Sequence, residues 1–190
     1  MNGRLLWRAG VAVVILAIVA ALVNDQWGAI VGRTVGSKAA AGKRGPEPCL
    51  PGTRVPVIAS PHIPWKEAES TTYNSNPPTS GPHFSFALAP GIYDGPVPDG
   101  LTVHALEHGH VAILYAADTP RKTVQELRSI AKRHARDVVL APYAGLPHGL
   151  ALTAWGRIDR LDTFDGPRVV RFVERLHGRY DHGWTRPEQC

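Results

Sequence analysis

His104-Ala105-Leu106-Glu107-His108-Gly109-His110 places three imidazoles and a carboxylate within seven positions. Imidazole is the commonest metal ligand near neutral pH, and a carboxylate beside it can ligate, orient a ring or act as a general base. His104 and His108 are four apart, so they share one face of a helix and equally one face of a strand. On a helix Glu107 would lie on the face of His104. Upstream, Asn76-Pro77-Pro78-Thr79-Ser80-Gly81-Pro82-His83 reads as a stiff loop ending in an imidazole. Its proline pair is extended, Thr79-Ser80-Gly81 turns, and Pro82 fixes the approach. His62, between Pro61 and Ile63-Pro64, sits in similarly restricted backbone. A site built from His83, His104 and His108, completed by His62 or Glu107, suits an ion that accepts nitrogen and oxygen donors: Zn²⁺, Cu²⁺, Ni²⁺ or Fe²⁺. One methionine and two cysteines argue against a soft Cu(I) site of the thioether type.

Other chemistry is weaker. His104-x-x-Glu107-His108 formally matches the inverted zincin motif, but that motif needs a longer helix than one followed at once by Gly109. Ser80 near His83 is not a triad, because neighbours in sequence do not make one. There is no phosphate loop, dinucleotide fingerprint or GxSxG. His110, His134, His148, His177 and His182 read as surface, boundary or turn residues. Three functions remain open: a metal-binding domain, an enzyme with Glu107 or a histidine as general base, and an interaction module whose histidines only hold a polar network.

The elements that must position these residues follow from periodicity. Residues 49–100 are rich in Pro, Gly, Ser, Thr and Asn, an irregular stretch of a length usually tied to function. Thr102 and Gly109 would start and end a short helix around His104. Residues 110–115 (HVAILY) predict a buried strand. Thr119-Pro120 opens a helix with Val124, Leu127, Ile130, Ala131 and His134 on one side. Residues 137–141 and 150–157 predict two more strands. Asp165-Gly166-Pro167 opens a second amphipathic helix that Gly178 ends. The tail from Gly183 predicts a loop. Together these give a single α+β (or small α/β) domain, helices packed on a short mixed sheet.

The amino-terminal part differs. Residues 9–23 are an unbroken apolar or small run after Arg4 and Arg8, and Trp7 and Trp27 bracket it at about 30 Å if helical, near the hydrocarbon thickness. The expectation is a cytoplasmic segment at 1–8, a transmembrane anchor at 9–27, a flexible Gly/Ala/basic linker at 28–48 and an extracytoplasmic domain at 49–190. Val19-Ala20-Ala21 would allow a cleaved signal peptide instead. Cys49 and Cys190, near the two ends of the folded part, suit a disulfide in an oxidising compartment. A net charge of +5 and a pI near 9.5 invite a nucleic-acid reading. The basic residues instead fall in the amino-terminal segment or on helix faces, so the membrane is the expected partner, with an envelope protein or small ligand besides, and no nucleic acid.

Pro77-Pro78-Thr79-Ser80-Gly81-Pro82-His83, then His104-Ala105-Leu106-Glu107-His108-Gly109, then Thr153-Ala154-Trp155-Gly156-Arg157 resemble a bacterial family of membrane-anchored domains of unknown function with the motifs PPTSGPH and HxLEHG. The resemblance spans residues 49–190. It implies an anchored, extracytoplasmic domain in which His62, His83, His104, Glu107 and His108 are site positions. It implies no activity.

Overall fold

A computed structural model describes residues 50–186. The expected span at 9–27, the linker at 28–48, and Cys49 and Cys190 with their expected disulfide lie outside the described residues. Among the described residues no helix is long and apolar enough to cross a membrane.

Three α-helices pack against a mixed six-stranded sheet, an α+β fold. The elements run β1 (Thr53–Arg54), a 3₁₀ turn (Trp65–Ser70), β2 (Gly91–Ile92), α1 (Asp99–Glu107), β3 (Val111–Tyr115), α2 (Arg121–Arg133), β4 (Val138–Pro142), β5 (Leu150–Ala154), β6 (Arg157–Leu161), α3 (Gly166–Leu176), β7 (Tyr180–Asp181) and β8 (Trp184–Thr185). The sheet order is β1-β6-β5-β3-β4-β2. β4 is parallel to β3 and β2, and the other pairings are antiparallel. Beyond its 3₁₀ turn, the irregular region before α1 contributes only β1 and β2, one at each edge of the sheet. It covers both edges, where unpaired strand groups would otherwise be exposed.

Each central strand divides its side chains between two cores. Val111 and Ile113 of β3, Val138 and Leu140 of β4, and Leu150 and Leu152 of β5 pack with Leu127 and Ile130 of α2 and Phe172 and Val173 of α3. On the other face Ala112, Leu114, Val139, Ala141 and Ala151 pack with Ala105 and Leu106 of α1. A strand buried on both faces reads as continuous apolar sequence, which is why VAILY shows no alternation. The small side chains on the second face leave room for α1, whose residues Thr102 to Glu107 are all buried. That helix lies between the sheet and the Pro-rich loop, so its polar residues His104 and Glu107 are buried rather than facing solvent.

Four local expectations need correction. Residues 150–157 are not one strand. The chain reverses at Trp155-Gly156, and β6 returns along β5 with Ala154 opposite Arg157. The tail from Gly183 is not all loop, since Trp184–Thr185 pairs with Tyr180–Asp181 as a hairpin. Thr102 does not start α1. Pro98 is the N-cap, and its carbonyl accepts from the Leu101 and Thr102 amides. Likewise Pro120, not Thr119, caps α2, with no side-chain hydrogen bond. At α3 the Asp165 side chain accepts from the Arg168 amide, as its position predicts.

Candidate metal centre

α1 carries three of the five site residues on adjacent turns: His104, Glu107 and, as its C-cap, His108. The loop before it supplies the others. Residues 61–63 run alongside His83 as a parallel bridge: the His83 amide donates to Pro61 O at 3.1 Å and the Ile63 amide to His83 O at 2.8 Å. These two bonds hold His62 and His83 side by side over α1. Gly81 has φ +128°, and a Cβ there would lie 3.0 Å from both Ile58 Cδ1 and Tyr73 Cδ1, so the turn into Pro82-His83 needs glycine. Ser80 is fully buried and its hydroxyl accepts from the Ile58 amide at 3.2 Å. That is a structural role, not a nucleophile's.

The imidazoles are held in defined roles. His83 is fully buried, and its Nδ1–H donates to Gly81 O at 2.9 Å. His104 is 5% exposed, and its Nδ1–H donates to Phe84 O at 2.6 Å. A carbonyl can only accept, so both rings present a bare Nε2 when neutral. His83 Nε2 lies 3.1 Å from Glu107 Oε2 yet makes no aligned hydrogen bond among the described residues. His104 Nε2 is 2.9 Å from His108 Nε2, so His108 is the donor in that pair. Burial lowers the pKa of His104 from its ordinary value. The Phe84 carbonyl opposes this, and the neighbouring rings of His83, His108 and His62 add to it. Burial therefore favours the neutral ring over the charged one.

Two groups of donors result, each with its atoms within 4.8 Å of one another. The inner group is His62, His83, His104 and Glu107, buried except for His62. The outer group is His104, His108 and His182, and only His104 is buried. All five residues expected from the sequence converge. His108, however, lies on the outer side of His104, at a ring distance of 4.8 Å, rather than inside the inner group. His182 was not singled out. It comes from the β7–β8 turn, its ring 4.4 Å from that of His108 and edge-on to it. The only signal for it in the sequence is the His182-Gly183 turn pair, which says nothing of α1. The carbonyls of Gly81 and Phe84 were also missed as orienting groups, although they flank His83 in the chain.

Trp155 is half-buried and stacks on Tyr180 at 4.6 Å, bordering the α1 face. His134, His148 and His177 belong to neither group.

The family described as Protein of unknown function (DUF3105) matches residues 65–189, well over half of the chain. Comparison with curated proteins and with solved structures gives no match.

Proposed function

The chain belongs to the DUF3105 family, and on that premise we propose that its folded domain binds a divalent transition-metal ion through His83, His104 and Glu107, with His62 as the solvent-side ligand. The observation that carries this is the buried face-off between His83 Nε2 and Glu107 Oε2 at 3.1 Å. With Nδ1 committed to Gly81 O, a neutral His83 points a lone pair at a carboxylate. A cation between them turns two opposed acceptors into two ligands. The separation is close to that needed: donors about 2.1 Å from a tetrahedral ion stand roughly 3.4 Å apart. The carbonyls behind His83 and His104 are the outer partners that metal-bound imidazoles usually have. Three nitrogens and one oxygen fit Zn²⁺, and also Cu²⁺, Ni²⁺ or Fe²⁺. We further propose that the domain works outside the cytoplasmic membrane, tethered by residues 9–27 with a Cys49–Cys190 disulfide, and meets an envelope protein or small ligand there.

The test is metal content by plasma mass spectrometry of the full chain, purified without a metal-affinity column, beside the His83→Ala/His104→Ala variant. Near-stoichiometric metal in the wild type alone supports the reading. Equal trace metal in both overturns it and leaves a structural histidine network.

A further inference from the structure

The two donor groups share His104, and His104 has only one nitrogen to give. Its Nδ1–H is held by Phe84 O at 2.6 Å, which leaves Nε2. One lone pair binds one ion, so the inner and outer groups cannot both be filled through His104. From this we infer that the outer group, His104, His108 and His182, is a loading site for the same divalent ion, which passes inward with His104 as the ligand common to both positions. This rests on the inner-site reading above and gives that site its route of entry.

His182 carries marks of a positioned ligand. Its Nδ1–H donates to Asp181 Oδ1 at 2.5 Å, which leaves Nε2 bare and makes the ring a better donor. Its backbone has φ +42°, a left-handed conformation uncommon for a non-glycine residue. The turn is pinned beside the end of α1: Gly178 N donates to Gly109 O at 2.8 Å and His182 N to Glu107 O at 3.4 Å. His108 and His182 are exposed, whereas His83 and Glu107 are buried. Of the inner donors only His62 reaches solvent, whereas two of the three outer donors do, so an arriving ion meets more ligands in the outer group. Inward transfer exchanges bonds to His108 and His182 for bonds to His83 and Glu107, with His62 joining from the solvent side. The bond to His104 stays, and neither charge nor redox state changes.

The experiment follows Co²⁺ uptake and its removal by EDTA in the full chain, by absorbance. The variants are His182→Asn, which keeps a residue that tolerates positive φ, then His83→Ala and the double variant. Expected is a single Co²⁺ per wild-type chain and the same final spectrum for His182→Asn, with uptake and removal both slowed several-fold. His83→Ala should keep weaker binding that the double variant loses. Wild-type exchange rates in His182→Asn, two ions per wild-type chain, or residual binding that survives in the double variant would each overturn the inference while leaving the inner site standing. A wild-type chain that takes up no Co²⁺ overturns both.

Discussion

The two faces of the sheet are built on opposite terms. The face under α2 and α3 is filled with large aliphatic side chains and Phe172, and apart from Asp159 the buried polar groups lie elsewhere. Each fully buried side chain there stabilises the fold by roughly 1.5–3 kcal/mol. The face under α1 is lined by Ala112, Ala141 and Ala151 with Leu114 and Val139, and beyond them the helix meets His83 and Phe84 rather than solvent. Burying a polar group without a partner costs on the order of 1–3 kcal/mol. The α1 side buries polar side chains as well as apolar ones, and backbone carbonyls fix the rings of His83 and His104 there. One face is an apolar core, and the other brings imidazoles and a carboxylate together in buried surroundings.

This contrast can be broken from either side. Phe172→Ala should give the largest effect, a loss of about 3–5 kcal/mol in denaturant unfolding. The protein that remains folded should bind Zn²⁺ with unchanged affinity. A changed affinity would mean that the faces are coupled. Gly109→Ala strikes the joint between α1 and the β7–β8 hairpin. Gly109 has φ +80°, and a Cβ there would sit 2.6 Å from Tyr180 O. The expected cost is about 1–3 kcal/mol. Zn²⁺ exchange should also become slower, because the hairpin is displaced. Asp165→Ala removes the α3 cap and should cost about 1 kcal/mol with no effect on metal binding.

The smallest effect is a pH slope. Burial lowers the pKa values of both His104 and His110 from 6.5. Below pH 6.5 the unfolded chain takes up protons at these sites before the folded one does. Stability of the metal-free protein should therefore fall as pH drops through this window. Urea midpoints at pH 5 and pH 7 measure the difference, and His110→Gln should reduce it. An unchanged slope would put the acid sensitivity elsewhere.

Much of the scaffold was legible because its physics is local. The apolar run 111–115 and the spacing of Leu127, Ile130 and Ala131 report burial directly, and Asp165 announces a helix start. The Trp155-Gly156 reversal was less legible, since apolar sequence continues through it into Ile158. At the site, residue types pointed to His62, His83, His104, Glu107 and His108, but a spacing of four left helix and strand equally open. Which side of His104 each partner takes depends on how the loop folds over α1. His182 could not be found from the sequence, because it reaches the site through the packing of the hairpin on Gly109, 73 positions upstream of it in the chain.

The most direct measurement of the central claim is the tautomeric state of His83 and His104 by ¹⁵N NMR of labelled imidazoles, before and after one equivalent of Zn²⁺. The account predicts that both rings carry the proton on Nδ1 in the metal-free protein, and that both Nε2 signals move to metal-bound positions on adding Zn²⁺. Rings protonated on Nε2, or Nε2 signals that ignore Zn²⁺, would contradict it.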